Sequence, residues 1–219
     1  MTIRQKEILL KASVFIAASL PLALLLSQVF EVGSMRLGPN PVEDIQDATG
    51  IWGIRLLAVT LSITPLSWVT GPLIIRVRRM LGLFAFTYCS LHFLNYLLLD
   101  QTLNLAEIFE DILERPFITI GFAALLTMLP LAITSTNNWR RKLGRRWNTL
   151  HKLMYLICIL GCWHFYWQVK KDLTEPLIYC AIIGLLLTAR IIRKRSQNAK
   201  AAARKIATET TDSRSTSEC

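Results

Sequence analysis

Six long apolar stretches dominate the chain, and the charged residues gather in the segments between them. The stretches cover residues of about 8–30, 50–69, 80–99, 116–134, 149–168 and 176–193. Each has about the 20 residues that an α-helix needs to cross roughly 30 Å of hydrocarbon. A backbone in lipid must satisfy its own hydrogen bonds, which a helix does within one segment. The pattern therefore predicts an all-α membrane protein, a bundle of six transmembrane helices.

The connections between these stretches alternate in charge. Residues 31–49 and 100–115 carry net charges of −3 and −4, whereas residues 70–79 and 135–148 carry +3 and +5. Basic connections stay on the cytoplasmic side of a membrane. The alternation therefore predicts that both termini are cytoplasmic and that the acidic connections lie outside.

The net charge of +10 is divided among short segments next to the apolar stretches. Nucleic-acid binding needs a basic face or stripe, so this distribution argues against it. Anionic membrane lipid is the partner that such segments favour.

Two further segments carry structural expectations. Residues 1–195 are predicted to form the transmembrane domain, and residues 196–219, rich in Ser, Thr, Ala, Lys and Glu, a disordered cytoplasmic tail. Within the first acidic connection, Val42, Ile45 and Ala48 suggest a short, half-buried helix at the outer surface.

All the histidines, His92, His151 and His164, fall inside apolar stretches. Ionisable residues at membrane depth are costly and mark functional sites. His92 lies about 10 Å below the outer end of its stretch, counted at 1.5 Å per residue, and His164 is near the outer end of its own. His151 precedes His164 by 13 residues, so it lies about 20 Å away, near the inner end.

Two histidines at one depth on separate helices can occupy both axial positions of a haem. Imidazole on both faces leaves no open position, which favours electron transfer over oxygen chemistry. His92 and His164 are therefore the candidate iron ligands. Two packed core histidines are the alternative. Zinc fits less well, because no carboxylate or further histidine shares their level.

Two other residues have open roles. On an ideal helix His151 points about 220° away from His164, unless the helix kinks near Gly161. Three roles stay open for His151: it ligates a second haem, it lines a flavin or quinone site, or it packs in the core with a hydrogen bond. Arg55 is predicted to pair with a haem propionate, or else to extend its charge to the interface. Four arginines near the inner face would suit a flavin phosphate, or serve topology alone: Arg78, Arg79, Arg145 and Arg146.

Several motifs in order resemble a known family. They are D-I-Q-D-A-T-G at 44–50, I-R-V-R-R-M-L-G-L at 75–83, R-K-L-G-R-R-W-N-T-L-H at 141–151 and H-F-Y-W at 164–167. Together they resemble the haem-binding membrane subunits of bacterial methionine sulfoxide reductase systems, within the ferric-reductase-like transmembrane family.

The resemblance implies haem b, and His92, His151 and His164 fall where that family carries its histidines. It also implies an associated FMN and electrons from the quinone pool or a cytoplasmic flavin reductase. The acceptor would be a periplasmic molybdopterin enzyme that reduces methionine sulfoxide in oxidised proteins, which places the chain in a bacterial inner membrane. Many two-haem relatives carry paired histidines on each of two helices. The third stretch of this chain has one histidine, which argues against stacked haems.

Two other functions are compatible with the same pattern. A standalone ferric or superoxide-type reductase would use the same haem without an obligate partner. A proton-coupled transporter would use the histidines as a relay, but the sequence shows neither a mid-span acidic residue nor the inverted repeat common in transporters.

Overall fold

The computed structural model describes residues 2–34, 36–169 and 172–217, with the backbone alone described for residues 204–217. Within these ranges the chain forms helices and no strand, which confirms the all-α prediction. The helices are α1 Ile3–Val29, α2 Pro41–Thr70, α3 Arg78–Asn95, α4 Leu105–Glu114, α5 Pro116–Ile133, α6 Asn137–Leu143, α7 Arg145–Leu150, α8 Leu153–Gln168 and α9 Thr174–Ser217. A 3₁₀ segment, Pro72–Val77, leads into α3, and a π-helical turn, Tyr96–Asp100, follows it.

Five helical segments in the described residues are long and apolar enough to span a membrane: Ile3–Val29, Pro41–Thr70, Pro72–Asp100, Pro116–Ile133 and Thr174–Ala203. The sixth predicted stretch differs, because a turn at His151 and Lys152 separates α7 from α8. Helix α8 has 16 residues, or about 24 Å, which is less than the roughly 30 Å of a hydrocarbon core. The chain is a multi-pass membrane protein, and the side on which its termini lie stays a prediction.

The start of α2 corrects one expectation. Residues 41–49 do not form a separate surface helix but are the first turns of α2 itself. Pro41 occupies the first turn, where its missing N–H costs nothing, and Glu43 and Asp44 complement the positive end of the helix. Helix α2 therefore extends far enough to carry Gln46 to the level of His92.

Four helices form the core. Helix α2 packs along α3, α5 packs along α8, and contacts of α3 with α5 and of α2 with α8 close the bundle. Helices α3 and α8 therefore stand at opposite corners. The most deeply buried core side chains include Leu61, Ala85, Tyr88, Ile157 and Cys158.

Helix α1 lies outside this core and contacts α2, α3 and the 3₁₀ segment. The Tyr88 hydroxyl donates to the Ala18 carbonyl at 2.9 Å, and the rings of Phe15 and Phe84 meet at 5.3 Å. Most other apolar side chains of α1 are exposed, as expected for a helix that faces lipid.

Helix α4 lies in the acidic connection 100–115. Its Ile108 is buried, whereas Leu105, Phe109 and Leu113 are exposed. The Asp111 carboxylate fixes it by accepting hydrogen bonds from Tyr96 at 3.1 Å and from Gln101 at 3.0 Å. This amphipathic helix was not predicted from the sequence.

The chain divides into two units, residues up to Ile183 and residues from Gly184 onward. In the described part, the second unit is the helical backbone up to Ser217. This backbone includes residues 196–217, for which the sequence predicts disorder. Extending an existing helix through residues rich in Ala, Lys and Arg avoids the cost of nucleation. The division into a domain 1–195 and a tail stays a prediction.

Candidate functional site

The structure brings His92 and His164 together. Their ring centroids are 6.0 Å apart and their planes are inclined by 83°. His92 projects from α3 and His164 from α8, so the two rings meet between opposite corners of the core. We call them the histidine pair.

The ring of His92 is oriented by α2. Its Nδ1 lies 3.0 Å from the Gln46 carbonyl oxygen, which only accepts hydrogen bonds, so Nδ1 carries the proton. The Gln46 side-chain amide lies 3.3 Å from Nε2, and its oxygen accepts from Asn95 at 2.6 Å. His92 therefore has its lone pair on Nε2.

The ring of His164 is oriented in the same way by α5. Its Nδ1 lies 2.8 Å from the main-chain oxygen of Phe117. Nδ1 therefore donates, and the lone pair is again on Nε2. A histidine that donates its other ring N–H to a carbonyl has the tautomer and orientation of a typical metal ligand.

The separation of the rings fits two imidazoles on one metal ion. Metal–nitrogen bonds are about 2 Å long, and with roughly 1 Å from each nitrogen to its ring centre the centroids lie about 6 Å apart. The amide of Gln46 would have to turn away, because Nε2 has one lone pair. The described residues contain no group of three His, Cys, Asp or Glu side chains that could hold a metal. The pair therefore suits an ion whose remaining ligands come from a macrocycle, as in haem.

His151 is not part of this pair. It caps α7, where its ring stacks on Trp147 with centroids 3.8 Å apart, and its Nδ1 lies 3.1 Å from the Trp147 carbonyl oxygen. The Trp147 indole donates to the Thr134 carbonyl at 2.9 Å. The imidazole of His151 also lies against the Leu131 main chain. Even so, the buried Nε2 makes no hydrogen bond of ordinary geometry within the described residues.

Next to His151 lies a cavity of about 810 Å³, which we call the basic cavity. Small-molecule and cofactor sites have volumes of about 300–1,000 Å³. Its charged lining residues are mostly cationic, and aromatic rings lie among them. The charged group comprises Arg76, Arg78, Arg79, Arg140, Lys11, Lys152 and Glu7, and the aromatic group Phe86, Trp147 and Tyr155. This composition suits a planar, anionic ligand.

Arg55 does not line the basic cavity. Its Nε donates to the Tyr179 hydroxyl at 2.9 Å, and its guanidinium lies 5.0 Å from the centre of the Trp52 ring. These contacts hold the cation at the junction of α2 with the first turns of α9. Its pairing with a propionate stays a prediction.

Several residues that support the pair were not predicted from the sequence. Asn95 had a detectable signal, since it is a polar residue three positions after His92 in an apolar stretch. Gln46 lies within the quoted motif at 44–50, but its contact with His92 depends on where α2 begins. The contribution of Phe117 is a main-chain carbonyl, for which the residue type gives no signal.

Comparison with known proteins agrees with this architecture. The ferric reductase like transmembrane component family matches residues 49–162, a range that contains His92 and His151. A protein from Xanthomonas axonopodis pv. citri (strain 306) is 50% identical over 190 residues, which cover 85% of this chain and 87% of the relative. A protein from Brucella anthropi is 47% identical over 172 residues, or 78% of each chain.

Both relatives bear the name protein-methionine-sulfoxide reductase heme-binding subunit MsrQ. A third, from Xanthomonas oryzae pv. oryzae (strain MAFF 311018), has the same name and is 48% identical over 193 residues, or 86% of this chain and 88% of its own. Identity at this level over most of both chains shows common membership. The chain therefore belongs to the MsrQ family of ferric-reductase-like transmembrane proteins.

Proposed function

We propose that this chain is the haem-binding membrane subunit of a methionine sulfoxide reductase system and carries haem b between His92 and His164. The observation that supports this most strongly is the geometry of the pair. Both imidazoles donate Nδ1–H to a main-chain carbonyl and meet at a spacing suited to one iron. The names of the relatives support the same reading.

The residues of the chain determine what the haem does. His92 and His164 would hold the haem through their two imidazoles, and a haem held in this way would supply single-electron transfer rather than oxygen chemistry. The carbonyls of Gln46 and Phe117 hold the imidazoles in place, so little movement accompanies the change in charge. Both histidines are half-buried between the helices.

The basic cavity is proposed to receive FMN. Its arginines would bind the phosphate, since guanidinium groups form strong, charge-assisted hydrogen bonds with phosphate oxygens. Its aromatic side chains would contact the ring system. A second haem held by His151 is the alternative occupant, because propionates also attract arginine and His151 lines the cavity.

The cavity extends toward the pair. Its lining includes Phe86, six residues before His92, and Ile157, seven residues before His164. At 1.5 Å per residue these positions are about 9 Å and 10 Å from the histidines along the helices. This short separation supports a route from a donor in the cavity to the haem.

The proposed donors are the quinone pool and a cytoplasmic flavin reductase, and the proposed acceptor is a periplasmic molybdopterin methionine sulfoxide reductase (MsrP-like) that repairs oxidised proteins. The proposed location is the bacterial inner membrane. The three glutamates of α4, Glu107, Glu110 and Glu114, would attract a basic patch on the acceptor and speed its association.

Sealed vesicles test this function. The chain is reconstituted with NADH, a flavin reductase and FMN enclosed, and with the molybdopterin enzyme and methionine sulfoxide outside. We expect methionine to form outside in vesicles with the parent chain and not in those with His92→Ala. Equal yields from both would contradict the proposal. Reduction of external ferric citrate without methionine formation would indicate a standalone reductase, and pH-driven solute flux by a colourless protein a transporter.

His151→Ala distinguishes the two occupants of the cavity. We expect haem content per polypeptide to equal that of the parent chain, because His151 lies outside the histidine pair. The measurement is pyridine-haemochrome quantitation, with Tyr166→Ala on the exposed side of α8 as control. A loss of half the haem in His151→Ala alone would instead identify a second haem.

Arg55→Gln is expected to lower the midpoint potential of the haem. A cation paired with a propionate favours the reduced form of the haem. Its removal from a partly buried site should lower the midpoint potential by an amount on the order of tens of millivolts. Redox titration measures the shift. Arg36→Gln, which removes an exposed cation paired with Glu31, serves as control. An unchanged midpoint potential in Arg55→Gln would mean that the charge of Arg55 does not act on the haem.

A further inference from the structure

We propose that Gly50 and Gly121 are positioning residues that set the orientation of the two axial imidazoles. Each lies on the helix that accepts the hydrogen bond from its histidine, Gly50 on α2 and Gly121 on α5. The inference rests on haem ligation by the histidine pair and adds the feature that keeps each ring in place.

Each glycine lies directly against its imidazole. A Cβ atom at Gly50 would lie 3.0 Å from both Nδ1 and Cε1 of His92. A Cβ atom at Gly121 would lie 2.7 Å from Nδ1, 2.8 Å from Cε1 and 3.2 Å from Cγ of His164. No side chain fits at Gly121 unless the ring of His164 moves, and the fit at Gly50 is almost as tight.

The two glycines occupy equivalent places in the helices. Gly50 follows Gln46 by four residues, and Gly121 follows Phe117 by four. A helical side chain covers the turn that precedes it, so a side chain at 50 or 121 would shield the carbonyl four residues earlier. A carbonyl oxygen has two lone pairs, and glycine leaves the approach of Nδ1–H to this oxygen unobstructed.

Helix propensity does not explain these glycines. Glycine within a helix is about 0.8–1.0 kcal/mol less favourable than alanine. Neither position has the positive φ that would favour glycine. Replacement by alanine therefore strengthens the helix itself, and any loss of haem binding comes from displacement of the imidazole.

Two other glycines are matched controls. Gly82 lies on α3, the helix of His92, and Gly161 on α8, the helix of His164. A Cβ at Gly82 would contact Thr60 at 3.8 Å, and one at Gly161 would contact Leu57 at 3.8 Å. These are ordinary distances, so alanine is accommodated at both.

The experiment compares Gly50→Ala, Gly121→Ala, Gly82→Ala and Gly161→Ala in the full chain purified in detergent. Haem affinity is measured by titrating haem-depleted protein with haemin. The g-values of the low-spin ferric signal are measured by electron paramagnetic resonance, because they respond to imidazole orientation. For Gly121→Ala we expect affinity to fall about 10- to 100-fold, as for the loss of an outer partner of a metal-bound histidine. For Gly50→Ala we expect a smaller loss and shifted g-values, and the controls should match the parent chain.

The outcomes separate the two levels of the proposal. Parental affinity and g-values in both Gly50→Ala and Gly121→Ala would overturn the role of the glycines, even if His92→Ala and His164→Ala lose haem. Retention of haem by the histidine variants would overturn the ligand pair itself. If Gly121→Ala does not assemble in the membrane, unchanged g-values in Gly50→Ala still overturn the proposal.

Discussion

Replacing His164 with alanine is expected to abolish haem binding and the reduced absorption spectrum. Only His92 would remain as an imidazole ligand. The described residues contain no group of three potential metal ligands that could replace His164. Losing a partner outside the ligand shell already costs about 10- to 100-fold in affinity, and losing a ligand should cost more. Haem per polypeptide and the reduced-minus-oxidised spectrum measure the effect.

His92→Ala should have the same result, since the two imidazoles are equivalent ligands. Tyr166→Ala on α8 is the control, because this exposed aromatic side chain lies outside the pair. Both histidine variants must be monodisperse in size-exclusion chromatography, so that loss of haem is not loss of fold. Parental spectra in either variant would contradict the assignment of that histidine.

Arg78→Gln is expected to weaken FMN binding about 10- to 100-fold, since a hydrogen bond to a charged group is worth about 1.5–3 kcal/mol. Arg78 is half-buried and lines the basic cavity together with His151. A cation there interacts with an anionic ligand through less water than an exposed one. Quenching of FMN fluorescence during titration of the purified protein measures the affinity.

Arg145→Gln is the matched control. Arg145 belongs to the other basic connection, residues 135–148, but is exposed and does not line the cavity. Equal FMN affinities in both variants would mean that the arginine acts through topology alone. A loss of haem rather than flavin in Arg78→Gln would assign the cavity to a second haem.

The sequence was sufficient to predict the shared level of His92 and His164. The rise of a helix is fixed, so counting residues from the ends of two spans converts position into depth. Side-chain direction was harder to predict, because it depends on how helices rotate and pack. The 6.0 Å separation of the rings follows from the closed arrangement of α2, α3, α5 and α8, which periodicity alone does not specify.

The predicted angle between His151 and His164 assumes one continuous helix, whereas the structure has a turn at His151 and Lys152. The predicted angle of about 220° therefore does not apply. Nor does the break lie near Gly161, which is inside α8. Main-chain bonds from Lys152 to Thr149 and from Met154 to His151 form this turn, and no proline or glycine marks it at 151–152.

The supporting groups of the pair were least accessible to sequence reasoning. Every residue type has a main-chain carbonyl, so the identities of Gln46 and Phe117 do not show that these carbonyls hold the histidines. In our proposal, Gly50 and Gly121 keep the two carbonyls accessible. A glycine in a membrane helix usually indicates close packing of helices, without naming the atom that it approaches. The repeated spacing of four residues between carbonyl and glycine is visible only once both histidines are placed.

Near-infrared magnetic circular dichroism of the oxidised protein tests the central claim most directly, because its charge-transfer bands identify the axial ligands of ferric haem. Two neutral imidazoles, one from His92 and one from His164, predict a low-spin spectrum of the bis-histidine type. A high-spin spectrum, or a low-spin spectrum with a sulfur or oxygen ligand, would contradict the proposal that these two side chains hold one haem.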